Sequence, residues 1–110
     1  MTNNKSSEFL SKQQELSAIA KALSHPARIA IIQLLAEKKE IRTGNISIGL
    51  PISRTTVTQH LKALKNMGII KGKIDGLSIH YCLDMKKLSQ IKKEMNNFFE
   101  NAISDFKCNC

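Results

Sequence analysis

The segment from Ser53 to Lys65 combines a helical apolar stripe with an outer face that lacks acidic residues. Val57, Leu61 and Leu64 recur at the spacing of one helix face, which predicts an amphipathic helix with its stripe buried. Ser53 precedes the stripe at the position of an N-cap, where its hydroxyl can accept a hydrogen bond from an amide of the first turn. The segment therefore predicts a short helix that packs on a core and presents a polar face.

The polar face of this helix carries Arg54, Thr55, Thr58 and Gln59. A solvated helix face normally mixes acidic and basic residues, whereas these four are hydrogen-bonding groups without a carboxylate. Two of them are threonines, which helices do not favour. The pattern indicates a surface for an anionic, hydrogen-bonding partner. The alternative is a core helix whose outer face happens to lack acids, and the segment alone does not separate the two interpretations.

Length and charge narrow the choice of partner. The chain has 110 residues, enough for one domain, and its formal net charge of +8 favours a polyanion, with nucleic acid first and an anionic membrane surface second. No run of 18 apolar residues suggests a transmembrane helix, and the first residues lack the apolar core of a signal peptide. We therefore expect a cytoplasmic protein. A role at a membrane surface is not expected either, because the lysines of the last helix (Lys86, Lys87, Lys92 and Lys93) are more simply explained as a solvated outer face.

The chain before this segment predicts helices. One is expected from Glu8 to Leu23, and a second, apolar almost all round, from Ala27 to Glu37 at the centre of the domain. Ser24 is expected to cap the second helix, and Pro26 is compatible with its first turn because its missing N–H would have no helical partner there. Residues 41–50 predict at most a short helix, since Gly44 and Gly49 argue against a long one.

After Gly68, a natural left-handed helix terminus, the apolar period changes to that of β-strands. Residues 69–74 and 77–83 predict two strands joined at Asp75-Gly76, a strong turn pair. A long helix is expected over residues 84–106. The order α-α-α-α-β-β-α predicts a mainly α winged helix-turn-helix, in which the basic hairpin is the wing. It would occupy residues 8–106, between a flexible tail at 1–7 and a cysteine-containing tail at 107–110.

Three stretches carry a resemblance to a known family. They are residues 23–35 (L-S-H-P-A-R-I-A-I-I-Q-L-L), 52–70 (I-S-R-T-T-V-T-Q-H-L-K-A-L-K-N-M-G-I-I) and 76–84 (G-L-S-I-H-Y-C-L-D). In this order they resemble the arsenical-resistance repressor family of the ArsR/SmtB type, over nearly the whole chain. The resemblance implies a homodimeric winged-helix transcriptional repressor, not an enzyme, whose first and last helices form the dimer. Many members release DNA when a metal or metalloid binds.

The resemblance also implies roles for individual residues on double-stranded DNA. The recognition helix would enter the major groove of a palindromic operator, with four side chains against base edges: Arg54, Thr55, Thr58 and Gln59. The residues expected at phosphates are Ser53, Arg42, Lys62, Lys65, Lys71 and Lys73. The residues expected at the dimer interface are Leu16, Ile19, Leu88, Ile91, Met95, Phe98, Phe99 and Ala102. His60 matches a histidine common in the family and is expected to pack or cap locally.

The sequence indicates a sensor site less clearly than it indicates a DNA-binding surface. The chain lacks the cysteine pair that one family site places on the third helix, and its last helix lacks the histidine of another. What remains is Cys82 with Cys108 and Cys110, thiols that suit arsenic(III) or copper(I) as an inducer, or oxidation as a signal. The alternative is that Cys82 is a small strand residue and the other two belong to an exposed tail, so that no cofactor is certain.

Two other functions remain open at this point. The chain could be a DNA-binding repressor without a ligand, controlled by its abundance or by a partner protein. It could instead be a winged helix used as a protein-interaction module, although the basic wing argues against this because protein interfaces are depleted in lysine. An enzyme is not expected, since no nucleophile–base pattern, phosphate loop or metalloprotease motif is present.

Overall fold

The computed structural model describes residues 8–106, which fold as helices around a small antiparallel sheet. In chain order the elements are α1 Ser11–Ala22, α2 Pro26–Lys38, β1 Ile41–Arg42, α3 Thr43–Ile46, α4 Arg54–Asn66, β2 Ile70–Asp75, β3 Ser78–Leu83 and α5 Met85–Asp105. A 3₁₀ turn at Ser47–Gly49 extends α3. The predicted winged helix-turn-helix is confirmed. The two predicted tails, 1–7 and 107–110, lie outside the described residues.

The starts of the first two helices differ from the prediction. Helix α1 begins at Ser11 rather than Glu8, and the Gln13 side chain accepts a hydrogen bond from the Leu10 amide at 3.0 Å just before it. Helix α2 is capped by His25, whose Nδ1 accepts from the Ala27 amide, and not by Ser24. The reason is Pro26, which occupies the first helical position and disfavours helical backbone at the residue before it.

The sheet contains one strand that the sequence did not predict. β1 pairs with β3, with Ile41 opposite Tyr81 and Arg42 opposite His80, so the strand order is β1-β3-β2. A two-residue strand has no apolar period of its own and exists only through its distant partner. Residues 41–50 therefore contain this strand in addition to the short helix that was expected.

The turn of the wing, the β2–β3 hairpin, is shifted by one residue from the prediction. Asp75 pairs with Ser78, so the two-residue loop is Gly76-Leu77 and not Asp75-Gly76. Gly76 takes a φ of 62°, which favours glycine over residues with a side chain. The shift leaves Leu77 at the outermost point of the hairpin.

The core lies between α2, α4 and the base of the wing, with one side closed by α1 and α5. Its buried apolar residues are Ile19, Ala22, Ile31, Leu35, Ile46, Val57, Leu61, Leu64, Ile69, Ile70 and Ile91. Helix α2, apolar almost all round, was predicted to be the buried centre of the domain; Ile31 and Leu35 are buried, but Ile29 is 39% exposed. At the end of α4, Gly68 adopts the expected left-handed conformation with φ of 84°. Its turn directs Ile69 and Ile70 back into the core.

Candidate nucleic-acid interface

Helix α4 is held on the core by the stripe that the sequence predicted. Val57, Leu61 and Leu64 are at most 1% exposed, so the helix cannot rotate without exposing them. Ser53 caps its start: the Thr56 amide donates to the Ser53 Oγ at 3.2 Å, and the two hydroxyls lie 2.9 Å apart. The opposite face of the helix is thereby fixed toward solvent.

The four residues predicted at base edges share that solvent face. Arg54, Thr55, Thr58 and Gln59 are all exposed, in the first two turns of the helix. The Thr58 hydroxyl donates to the Arg54 carbonyl at 3.0 Å, which leaves its oxygen free to accept a further hydrogen bond. The structure thus brings together two hydroxyls, an amide and a guanidinium, a set that can form hydrogen bonds with base edges and phosphates.

A glycine on α3 makes room for the Arg54 side chain, which sequence reasoning missed. A methyl group added at Gly44 would lie 3.2 Å from Arg54 Nη2. This separation is tighter than ordinary contact, so a side chain at position 44 would require the guanidinium to shift by a few tenths of an ångström. The start of α3 therefore lies directly against the end of the Arg54 side chain. A glycine that precedes a polar helix is the only sequence signal of this arrangement.

The residues predicted at phosphates belong to a longer region without acidic residues, here called the acid-free segment (residues 41–74). It contains no Asp or Glu but six basic residues, and so carries +6 of the chain's +8. The six are Arg42, Arg54, Lys62, Lys65, Lys71 and Lys73. All six are exposed, and none forms an ion pair with another residue in the described part of the chain. This contrast of charge between residues 41–74 and the rest of the chain was visible in the sequence.

The acidic residues that border this segment are both turned toward one histidine. His80 Nδ1 lies 2.7 Å from Glu40 Oε1, and its Nε2 lies 3.6 Å from Asp75 Oδ2. The imidazole occupies the middle of the sheet, opposite Arg42 on β1 and Lys73 on β2. The Glu40 carboxylate is within hydrogen-bonding distance of His80, whereas the Asp75 carboxylate is only near it. Lys71 and Lys73 form no ion pair with any residue that the structure describes.

A second histidine joins α4 to the start of α2. His60 is 8% exposed, and the Arg28 Nε donates to its Nδ1 at 3.1 Å. The His25 ring lies 4.3 Å away, centroid to centroid. Burial lowers the pKa of His60 below its ordinary value of 6.5, and the neighbouring His25 and Arg28 lower it further. His60 therefore packs as a neutral ring, in agreement with the prediction that it packs locally, whereas its link to Arg28 was not anticipated.

The predicted dimer residues divide into three groups by their exposure. Ile19 and Ile91 are at most 5% exposed and already belong to the core of the single chain. Phe98 and Phe99 are 50% and 54% exposed and stack edge to face with centroids 5.1 Å apart. The remaining four lie between or beside them as partly buried or exposed residues: Leu16, Leu88, Met95 and Ala102. An open cavity of about 430 Å³ separates α1 from α5 next to Phe98.

Of the three cysteines predicted as a sensor, the structure describes only Cys82. Cys82 lies on β3 opposite Lys71 and is half-buried, while Cys108 and Cys110 lie outside the described residues. Across residues 8–106, no three His, Cys, Asp or Glu side chains are grouped so as to hold a metal ion. A single thiol does not provide the ligand set of a thiophilic ion.

Within the same residues, no helix has the length and apolar character needed to cross a membrane.

Comparisons with known proteins agree on one family. Residues 25–71 match the family model described as bacterial regulatory protein, arsR family. The chain is 30% identical over 90 residues to a cadmium resistance transcriptional regulatory protein CadC homolog of Staphylococcus aureus, covering 80% of this chain and 74% of the relative. It is 28% identical to the transcriptional repressor PagR of Bacillus anthracis, covering 81% and 88%.

A solved structure has the same fold. The homodimeric winged helix-turn-helix DNA-binding domain of Mb0332 from Mycobacterium bovis superposes with a TM-score of 0.64 at 19% identity, covering 99% of this chain and 97% of that one. At this identity the likeness concerns the fold alone. The Mb0332 domain and this structure thus have the same winged helix-turn-helix fold.

Proposed function

This chain belongs to the ArsR family of bacterial regulatory proteins, and from that premise we propose that it is a homodimeric repressor of a palindromic operator. As a member it is a transcriptional regulator with a winged-helix DNA-binding domain and not an enzyme. The observation that carries the proposal is the exposed, acid-free face of α4 within a segment of charge +6. Such a face attracts a polyanion and offers hydrogen-bonding groups to it.

Helix α4 would enter the major groove with its N-terminal end first, because that end carries the exposed polar side chains. Arg54 is the best candidate to contact a base, since its guanidinium can donate to O6 and N7 of one guanine together. Thr55, Thr58 and Gln59 would complete the contact with neighbouring base edges. Ser53 is engaged as a cap, so it would contribute to phosphate binding mainly by fixing the helix start.

The remaining cations would hold the sugar-phosphate backbone on either side of α4. Lys62 and Lys65 follow the base-contacting residues on the helix, Arg42 lies on β1, and Lys71 and Lys73 lie on one face of the wing. Contacts of this kind fix the position of the protein without distinguishing sequences. They also make binding strongly dependent on salt, because each neutralised phosphate releases counterions.

Two copies would associate through α1 and α5. Phe98 and Phe99 are large aromatic groups left half-exposed by the single chain, and aromatic residues supply much of the energy of protein interfaces. Ile19 and Ile91 would support this surface from the core beneath. A two-fold dimer places two α4 helices in successive major grooves, about 34–36 Å apart, which is why the operator would be palindromic. Mb0332, which is homodimeric, supports the proposed dimer, and PagR, which is a transcriptional repressor, supports the proposed repressor function.

Release by a thiophilic ion or by thiol oxidation remains a hypothesis based on Cys82, Cys108 and Cys110. The alternative is a repressor without a ligand, controlled by abundance or a partner protein. A Cys108→Ser, Cys110→Ser double variant separates the two when operator binding is titrated with arsenite or copper(I). If the natural chain releases DNA and the double variant does not, the tail is the sensor. If neither responds, the ligand-independent repressor is favoured.

The test of the proposed function is sequence-specific binding by the full chain. Duplexes enriched from a random pool should share a palindrome, and the purified protein should bind it far more tightly than a scrambled duplex of equal length. Binding that falls with salt but does not distinguish the two duplexes would contradict the proposal.

A further inference from the structure

The tip of the wing is apolar, which neither the core nor the acid-free face explains. The wing tip, defined as Ile74, Leu77 and Ile79, has Ile74 81% exposed, Leu77 fully exposed and Ile79 more than one-third exposed. Ile74 and Ile79 pair across the two strands, and Leu77 lies in the loop just beyond them. Their side chains form a cluster at the end of a hairpin. Clustered exposed aliphatic groups usually mark a binding surface.

The wing is attached to the domain at Ile70 and Ile79, while the Ile74 and Leu77 side chains stay exposed. Ile70 is buried in the core, and the Thr43 hydroxyl donates to the Ile79 carbonyl at 3.1 Å. Gly72 lies directly beneath the Ile79 and Tyr81 side chains, where a methyl group would come within 3.2 Å of each. The exposed apolar side chains therefore belong to a paired hairpin that contacts the domain.

The tip borders the proposed DNA interface. A cleft of about 400 Å³ separates it from the start of α3, with Leu77 and Ile79 on one side and Arg42 and Gly44 on the other. Gly44 is the residue that lies against the Arg54 guanidinium. The apolar tip and the candidate base-contacting arginine thus flank the same α3 corner. The opposite face of the wing carries Lys71 and Lys73.

We propose that the wing tip is an apolar wedge for the minor groove of duplex DNA, with Leu77 placed against the base step that flanks the major-groove site of α4. The inference rests on the proposed function and adds a second, chemically different contact to it. Proteins that bind the minor groove insert leucine and isoleucine side chains at base steps, which partly unstack and bend the duplex. Lys71 and Lys73 would hold the phosphates that border the groove.

The charge of the region favours DNA over a protein as the occupant. The acid-free segment ends at Ile74, the first residue of the wing tip, and the wing lysines, Lys71 and Lys73, form no ion pair among the described residues. Interfaces between proteins are depleted in lysine, whereas DNA-binding surfaces are enriched in it. The one carboxylate at the tip, Asp75, lies toward His80 at 3.6 Å, on the face of the hairpin opposite Ile74.

A wedge of this kind has a specific consequence for sequence preference. Pyrimidine–purine steps such as TA unstack easily, while G·C-rich steps resist deformation. The protein should therefore prefer an operator flanked by TA steps over the same operator flanked by G·C pairs. Leu77 is fully exposed, so its side chain does not contribute to the stability of the fold. Its replacement should consequently change the preference without changing the melting temperature.

The test compares the natural chain with Leu77→Ser and Leu77→Met on three duplexes that share one selected operator. One duplex has TA flanks, one has G·C flanks, and one ends at the edge of the operator. We expect the natural chain and Leu77→Met to bind the TA-flanked duplex roughly five- to tenfold more tightly than the G·C-flanked one, as partial burial of one leucine allows. Leu77→Ser should lose this difference and keep its affinity for the truncated duplex.

Bending gives a second measurement that does not depend on affinity. End-to-end energy transfer on the TA-flanked duplex should report a larger bend with the natural chain than with Leu77→Ser. If Leu77→Ser retains both the flank preference and the bend, the wedge is wrong while the proposed function stands. If the natural chain does not distinguish the operator from a scrambled duplex, the proposed function fails and the wedge fails with it. A uniform loss on all three duplexes would also overturn the wedge.

Discussion

Arg54 stands at the first turn of α4, exposed, with its guanidinium seated over Gly44. A base contact and a phosphate contact have different consequences when they are lost. Arg54→Ala should weaken operator binding by about 1–3 kcal/mol and relax the preference at one base pair. The variant loses both hydrogen bonds that the guanidinium would donate to one guanine. Anisotropy titrations against the operator and its single-base variants measure both effects.

The matched control for Arg54 is Lys73→Ala on the wing. Lys73 is an exposed cation whose proposed contact is a phosphate, so its loss should weaken binding to all sequences alike and reduce the dependence on salt. Equal losses on operator and random DNA for Arg54→Ala would remove Arg54 from the base-contacting set.

His60 makes stability depend on pH. Its pKa is lowered in the folded chain by burial, His25 and Arg28, so between that value and 6.5 the unfolded chain binds more protons than the folded one. The contribution of neutral His60 is complete above pH 6.5 and is lost as the pH falls through the lowered pKa. The free energy of unfolding, measured in urea, should decline more between pH 7.5 and 5.5 in the natural chain than in His60→Asn. Parallel pH profiles for the two proteins would show that His60 does not carry the effect.

Single residues were predicted where their chemistry is local. The exposure of Arg54, Thr55, Thr58 and Gln59 followed from the spacing of the stripe behind them. The contacts of His60 with Arg28 and of Gly44 with Arg54 join residues that are distant in the chain or separated by a turn. Neither contact leaves a periodic signal, so the three-dimensional arrangement was needed to find them.

At the scale of elements, the start of α4 sets the direction of the whole polar face. Ser53→Ala removes the acceptor of the Thr56 amide and should lower the free energy of unfolding by about 1 kcal/mol. Ser53→Asn keeps an acceptor at the cap and should stay close to the natural chain. Urea unfolding of all three at one protein concentration makes the comparison valid for a dimer as well. If Ser53→Ala were as stable as Ser53→Asn, the cap would not contribute measurably.

The prediction was correct for helices with a long apolar stripe and wrong for strands whose position depends on pairing with another strand. α4 and α5 were placed within a residue or two because their stripes and the caps Ser53 and Asp84 are encoded locally. β1 and the register of the wing depend on strands found elsewhere in the chain. Pairing of Ile70 with Leu83 fixes that register and moves the loop to Gly76-Leu77, whatever the local preference for Asp-Gly.

For the whole molecule, the half-exposed aromatic groups on α5 predict association. Phe98→Glu should convert a dimer to a monomer with unchanged helical content, because Phe98 is half-exposed and its loss leaves the core intact. Ser89→Glu adds the same charge to an exposed position of α5 outside the apolar stripe and should remain dimeric. Analytical ultracentrifugation distinguishes the two. A Phe98→Glu variant that sediments as the natural chain does would place the interface elsewhere.

The fold class of the whole molecule followed from the order of its elements, and a polyanion as the class of partner was predicted from its charge. What the sequence could not supply is which apolar residues a single chain already buries. Ile19 and Ile91 share a stripe with Leu16 and Phe98, yet only the structure separates the core residues from those left for a partner. The same holds for Leu77, whose exposure follows from the shifted turn.

The most direct test of the central claim is a stoichiometric titration of the full chain against a selected palindromic duplex and a scrambled duplex of the same length. The dimeric major-groove account predicts two chains per palindrome and an affinity at least about 10³-fold above that for the scrambled duplex at physiological salt. Equal affinity for both duplexes, lost in parallel as salt is raised, would mean that the basic face of α4 only attracts DNA and does not recognise its sequence.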